Sequence, residues 1–523
     1  MFKQKSTAML LGSVTLTAAL LTQSAHATGV RNEDENDGKW LAGEYHVHTF
    51  QSDDAQHSLT SMLDAGLEKY GLDWMGTADH LRMESRDDEG NPIPGGPIPL
   101  SQGMLQYQVP KIKQLQAEGK YKGKIIFSGF EWDMPTYEHV GVGLLTDNPG
   151  SDESLKAASH FEYLFTNRDE KLFDPADVAA WSAKDARAFS TKEDARTALK
   201  WLETNYKDTS FALFNHPNRK MVYTIEDFRD FNNIAPTVAF GFEGMVGNQM
   251  EPDRGGENLD NPKNRTYGGS DYMLAHLGGA WDALLGEGRK FFNFSNSDAH
   301  FYISDNRLYS SGYDPGQYSK NYTWIKGNDA LAVLNGMRSG KSFSVFGDLI
   351  NALDFNVTQD NSENRSDAGM GETIVARDGK QLTITIKFKS SEKNNNGDQV
   401  KVDHVDLITG DITGKKMPGT PEYAKDTNDS TVVLKRFTSK DWKTTKDGYN
   451  VITYKLKATK DQYFRLRGTN LGTDIPGETQ NGEPLMDVKT DIADNEARFE
   501  AINKRNYSDL WFYSNPIYVS VIK

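Results

Sequence analysis

Between about residues 40 and 345, short apolar runs alternate with helix-like stretches, and each run carries a histidine or an acid at or next to one of its ends. The runs are "LDWMGTAD", "KIIFSGFE", "HVGVGLL", "FALFNH", "VAFGFEG" and "KFFNFSNSD". Between them lie "SLTSMLDAGLEKYG", "MLQYQVPKIKQLQAEG", "KEDARTALKWLETNY" and "NDALAVLNGMRSG", whose apolar residues recur at helical spacing. Strands separated by helices call for a largely parallel sheet or barrel. In such folds the loops beyond the strand ends converge on one face, and ligands bind there. The segment "RDDEGNPIPGGPIPL" reads as a Pro/Gly-rich loop, and 150–200 as a helical insertion.

Beyond about 346 the period changes from helical to two. "QLTITIKFK", "TVVLKRF", "NVITYKLKA", "QYFRLRG" and "NPIYVSVI" are separated by Gly, Asp and Asn turns, the pattern of an antiparallel β-sandwich-like domain. The expected organisation is therefore a signal peptide (1–27), an acidic linker (28–39), a domain of α/β class expected to be a metal-dependent hydrolase (40–345) and a β-sandwich-like domain (346–523). The signal peptide is read from Lys3 and Lys5 ahead of "AMLLGSVTLTAALL", with small residues up to Ala27. That run is too short and too rich in Ser and Thr for a membrane span. The expected location is periplasmic or extracellular. No cysteine is present, so neither a disulfide framework nor a thiolate metal site is available. The net charge of −15 argues against general nucleic-acid binding, which needs a basic footprint. A small phosphate compound stays compatible with that charge if metal ions supply positive charge locally.

The polar residues at the run ends form a donor set. His46 and His48, in "EYHVHTFQSDD", share one face of an extended strand. Asp53 follows on the turn; His80 ends "GTADH"; Glu131 ends "SGFE"; His139 opens "HVGVGLL"; His216 ends "FALFNH"; Asp298 and His300 end "SNSDAH". Of eleven histidines, six lie at such positions, while His57, His160, His276 and His404 lie elsewhere and His26 in the leader. Imidazole and carboxylate together suit zinc, manganese or iron(II). So many convergent donors exceed the needs of one tetrahedral ion, so two or three divalent ions are expected, with Glu131 able to bridge two. Such ions acidify water and clamp the oxygens of a displacement, which suits phosphate-ester hydrolysis by a metal-activated hydroxide. Glu131, Asp298 and His216 are the expected catalytic positions. Asp79 is expected to orient its neighbour His80 through a hydrogen bond. Arg219, Lys220 and Glu243 are candidates for substrate contact, and the acidic loop "DLITGDITG" reads as a solvated turn rather than a calcium site.

In order along the chain, "HVHTFQSD", "GTADH", Glu131 with "HVGVGLL", "NHP" and "SDAH" resemble the motifs of the PHP (polymerase and histidinol phosphatase) superfamily of metal-dependent phosphoesterases. The five signatures span residues 44 to 300. The resemblance implies a distorted (β/α)7 barrel with a trinuclear site at the C-terminal ends of its strands. It implies that His46, His48, Glu131 and Asp298 hold one ion, and that Glu131 bridges to a second held by His139 and His216. A third would be served by Asp53, His80 and His300. The reaction expected is hydrolysis of a small phosphate ester, a diester or a broad range being favoured because no compact basic pocket for a dianion is evident. The alternatives are an amidohydrolase-like hydrolase of another ester or amide, or a metal-loaded protein that binds a partner through the β-domain. Amidohydrolase-type sites usually show a carboxylated lysine or another His/Asp order, neither of which is visible here.

Overall fold

The computed structural model describes residues 38–256, 261–300, 312–360 and 365–523. The expected signal peptide and nearly all of the linker lie outside these residues. The protein is a mixed α/β structure with one large central sheet and further antiparallel sheets. The strands used below are β1 (Lys39–Glu44), β2 (Trp74–His80), β3 (Ile125–Trp132), β4 (Val140–Leu144), β5 (Ser210–Phe214), β6 (Gly241–Met245), β7 (Phe292–Ser295), β8 (Ser319–Ile325) and β9 (Ser342–Phe346). The first seven are neighbours in the order β7-β6-β5-β4-β3-β2-β1. Beyond its end β1 continues as His46-Val47-His48, which bridges in parallel to Ala299. The His48 amide donates to the Ala299 carbonyl at 3.0 Å and the Asp298 amide to the His46 carbonyl at 3.1 Å. The segments that follow the two outer strands are thus hydrogen-bonded to each other.

One strand runs against the expected parallel order. β4 is antiparallel to both β3 and β5. The link from Trp132 to Val140 explains this, because it is far too short for the crossover of a dozen or more residues that a parallel neighbour needs. The reversal has a consequence for the site. His139, which precedes β4, falls at the same end of the sheet as residues that follow the parallel strands.

A floor of rings fills the space below that end. Tyr45, Trp74, Phe127, Phe211 and Phe294 are buried in one cluster with Leu213 and Phe240. The neighbouring strands accommodate them with glycines: a Cβ on Gly43 would stand 2.2 Å from the Trp74 ring, on Gly76 2.5 Å from Phe127, and on Gly143 2.2 Å from Phe211. Each such ring contributes roughly 1.5–3 kcal/mol by leaving water, and none leaves room for a methyl group opposite. The polar residues at the strand ends therefore sit on a rigid, dry base.

Helices Asp152–Phe165, Pro175–Ser182 and Lys192–Tyr206 occupy the expected insertion. In the C-terminal part, β10 (Ala352–Asp360), β11 (Gln381–Lys389), β12 (His404–Asp411), β13 (Val432–Thr438), β14 (Asn450–Lys457), β15 (Gln462–Thr469) and β16 (Trp511–Ser514) are strands, as the period-two pattern requires. β10, β11 and β14 form the centre of a five-stranded antiparallel sheet. Along β11 every second residue is buried, with Leu382, Ile384, Ile386 and Phe388 at 0% exposure. The opposing layer is the central sheet itself, which runs on through β1-β8-β9-β16-β15-β12-β13. β9 pairs with β16 across the expected boundary at 345/346, so one sheet serves both parts. Among the described residues no helix is long and apolar enough to cross a membrane.

Candidate metal centre

Glu131, at the end of β3, is 1% exposed and is met by five imidazoles. Its Oε1 lies 3.0 Å from His46 Nε2 and 3.4 Å from His216 Nε2. Its Oε2 lies 3.1 Å from His80 Nδ1, 3.2 Å from His139 Nδ1 and 3.5 Å from His48 Nε2. Asp298 stands opposite, with Oδ1 at 3.1 Å from His46 Nε2, 3.2 Å from His48 Nε2 and 3.3 Å from His300 Nδ1. Donor atoms of three residues converge within metal-binding reach several times over. The groups include His46/His48/Glu131, His46/His216/Asp298, His48/His80/His300, His80/Glu131/His139 and Glu138/His139/His216.

Outer partners set which nitrogen faces the centre. Glu243 Oε2 accepts from His46 Nδ1–H at 2.7 Å, leaving Nε2 for the cluster. Ser52 Oγ lies 2.9 Å from His48 Nδ1 and itself donates to Asp79 Oδ1, so it accepts from His48 and again leaves Nε2 free. The two Nε2 atoms stand 3.1 Å apart, a distance at which two inward lone pairs repel unless a cation lies near. Asn215 donates to Glu131 Oε1 at 2.8 Å, and Asn248 to Asp298 Oδ2 at 2.7 Å. His216 (φ +28°), Asn248 (φ +56°) and Asp298 (φ +49°) all adopt backbone conformations that side chains disfavour. Strain of this kind persists only where the surroundings over-determine it, and three cases fall within this cluster.

The charges depend on one another. Burial alone would raise the Glu131 carboxyl, but His139 and His46 hold it well below its usual range. Burial likewise opposes ionisation of Asp298, and His46 and His300 reverse that. Burial depresses His46, yet Asp298, Glu131 and Glu243 together hold it well above its ordinary value. For His80 and His139 burial is again outweighed, by Asp54 and Glu131 and by Glu131 and Asp133, so they rise to about 10 and about 9. His48 goes the other way, lowered well below its ordinary value by burial and by His300. Carboxylates so placed need cations, and the imidazoles serve only while they hold protons.

The donor set fits divalent ions, on the evidence of its orphaned atoms. Both ring nitrogens of His216, His80 Nδ1 and Asp298 Oδ1 are buried, make no well-formed hydrogen bond and face only one another's imidazoles and carboxylates. Buried polar atoms are rarely left so, and here they all belong to metal-ligating residue types turned toward one another. All donors are nitrogen or oxygen, which suits zinc, manganese or iron rather than softer ions.

Eight of the nine expected ligands come together. Asp53 does not: it is well exposed, and Arg82 donates to its Oδ1 at 3.3 Å. Its neighbour Asp54 takes the place, with Oδ2 3.3 Å from His80 Nε2 and Oδ1 3.5 Å from His300 Nε2. Two adjacent acids on a turn point in different directions, and spacing alone could not choose between them. Glu243 also differs from its expected role, since it is 0% exposed behind His46 and orients that ring rather than facing a substrate. Asp79 does not orient the His80 ring; it accepts from Thr49, Ser52 and Gln108. Glu138 was not expected. It is buried beside His139 and His216, and the signal for it was its place next to His139 at the head of β4. Arg219 donates to Asp298 Oδ2 at 3.3 Å, and Lys220 pairs with Glu138 at 3.1 Å, so both stand at the edge of the cluster. His276 is remote, stacked on Tyr272.

No protein-family profile and no curated protein matches this sequence. Among solved structures the chain is similar to a two-domain protein from Bacteroides vulgatus that contains a predicted PHP-like metal-dependent phosphoesterase. Identity is 10% over 88% of this chain and 98% of that one, with a TM-score of 0.34. A likeness this distant says nothing of chemistry, which is read from the side chains instead.

Proposed function

We propose that this chain is an exported metal-dependent phosphoesterase of the PHP type, hydrolysing small phosphate diesters or a broad range of phosphate esters. The observation that carries the reading is the buried convergence of six imidazoles on Glu131 and Asp298 at one end of the sheet, with several donor atoms lacking a hydrogen bond. In this reading the first seven strands form a distorted barrel, and residues 346–523 a second domain built against it. His46, His48, Asp54, His80, Glu131, His139, His216, Asp298 and His300 would hold two or three divalent ions. Such ions, when bound, supply Lewis acidity toward phosphoryl oxygens and make water nucleophilic near neutral pH.

The chain's own groups do the rest. Glu243 and Ser52 hold His46 and His48 with Nε2 inward, so that no ring has to reorient on loading. Arg219, fixed on Asp298 and partly open to solvent, is placed to meet a phosphate oxygen. Preference for a singly charged diester is supported by three basic residues at the rim, each matched by an acid among the described residues. Arg82 pairs with Asp133 and Asp53, Lys220 with Glu138 and Arg219 with Asp298. Among the described residues, these three cations are already committed and do not stand ready for the second charge of a monoester. Export rests on Lys3, Lys5 and the apolar run that follows them.

The test is hydrolysis of bis-p-nitrophenyl phosphate beside p-nitrophenyl phosphate, by chelator-stripped protein restored with manganese, zinc or iron(II). Metal-dependent turnover of the diester, lost in His46→Ala/His48→Ala, is the expected result. Turnover of amides or lactones without phosphate esters would replace this reading with an amidohydrolase-like one.

A further inference from the structure

The helical stretch after the Pro/Gly-rich loop is not uniform. An α-helical turn, Leu100–Gly103, passes into one wider π-helical turn, Met104–Gln108, before the α-helix resumes as Val109–Ala117. Such single π-turns concentrate at functional sites, because they add a residue and re-aim the side chains around it. Here the last residue of the turn is Gln108, a polar side chain at 0% exposure.

Its amide is held at both ends by β2. Thr77 Oγ1 donates to Gln108 Oε1 at 2.9 Å, which fixes the amide's orientation, and Gln108 Nε2 donates to Asp79 Oδ2 at 2.8 Å. Asp79 then collects Thr49 N at 2.6 Å, Thr49 Oγ1 at 2.9 Å and Ser52 Oγ at 2.9 Å. With its proton committed to Asp79, Ser52 Oγ can only accept, and it accepts from His48 Nδ1 and from the His80 amide at 3.0 Å. The Asp79 carboxylate, which can only accept, sets the direction of the Ser52 bond, and Gln108 holds that carboxylate in place from its other oxygen. What arrives at the far end is one tautomer and one ring orientation of His48, with Nε2 toward Glu131 and Asp298.

We propose that Gln108, on the side of Asp79 away from the metal centre, is a positioning residue: through Asp79 and Ser52 it locks His48 with Nε2 presented to the ion. This rests on the metal-centre reading above. Outer partners of this kind typically account for 10- to 100-fold in metal affinity. Their loss should appear in binding before it appears in stability.

The experiment measures Mn2+ binding by calorimetry, together with the His48 tautomer by 15N NMR of histidine-labelled metal-free protein. Gln108→Met removes the amide at similar volume. It should weaken Mn2+ binding roughly 10- to 100-fold and populate the second His48 tautomer. Thr77→Val removes only the hydroxyl that orients the amide, keeps the shape, and serves if Gln108→Met does not fold. It should show the same two changes at smaller size. Ser52→Ala breaks the chain at its other end, so Gln108→Met/Ser52→Ala should lose no more affinity than Ser52→Ala alone. Full additivity, or unchanged affinity and tautomer in both Gln108→Met and Thr77→Val, would overturn the proposal. Glu131→Gln separates the two readings. If it leaves Mn2+ binding intact, the metal-centre reading fails; if it abolishes binding while Gln108→Met is silent, only the role of Gln108 fails.

Discussion

Two buried charge clusters in this protein differ in how their polar atoms are satisfied. One surrounds Arg254, which is 0% exposed. Its Nε donates to Gln249, one terminal nitrogen to Asp487 and Asp509, and the other to Tyr318 and the Asp509 carbonyl. The acids are satisfied in turn, Asp487 by the Gly269 amide and Asp509 by the Trp511 indole. Nothing in that cluster is left over. It ties a loop beside the strand ends to the C-terminal segment, and it needs no ligand to be stable. The other cluster surrounds Glu131, and there several nitrogens and oxygens face each other without hydrogen bonds. Burial of polar groups is tolerated only where partners exist. The first cluster is therefore complete as a structural tie, and the second is complete only with cations.

This contrast can be broken by substitution. Glu131→Gln should cost the most in function. It removes the carboxylate that five imidazoles share, so metal-dependent diesterase activity should fall by more than the roughly 100-fold attached to an outer partner. Steady-state kinetics with bis-p-nitrophenyl phosphate would measure this, and thermal unfolding of the metal-free variant should show little loss. Arg254→Met should do the reverse. It strands Asp487 and Asp509 in the interior at a cost of about 3–5 kcal/mol, read by denaturant unfolding, while the bound metal per folded chain stays the same.

Smaller effects sharpen the comparison. Chelation should lower the unfolding midpoint, and restoring Mn2+ at about 100 times its dissociation constant should return about 2.7 kcal/mol. In Arg254→Met the increment should be the same, because the two clusters are independent. Asp54→Asn should weaken metal binding measurably, whereas Asp53→Asn, on an exposed side chain, should change stability by no more than about 0.5 kcal/mol and leave metal affinity as it was.

Much of the centre was legible in the sequence because strand ends are where a βα sheet exposes side chains, and apolar runs reveal strands. His80, Glu131, His216 and Asp298 could be placed from that pattern. The reversal of β4 was not legible as a direction, although the seven residues between Trp132 and Val140 carry its cause. Asp54 and Glu138 were missed because each stands beside a plausible ligand, and which of two neighbours turns inward depends on the turn. The pairing of Ser342–Phe346 with Trp511–Ser514 joins segments far apart in the chain, and no local period announces such a contact. Gln108 was hidden in a helical pattern that does not reveal the one wide turn it ends.

The most direct test of the central claim is elemental analysis of metal bound after Mn2+ loading and dialysis, in the unaltered protein and in Glu131→Gln. Two or three ions per chain in the former, and a clear loss in the latter, is the predicted result. Less than one ion per chain in both would mean that the unpartnered atoms around Glu131 are filled by protons and water, and that this is not a metal centre.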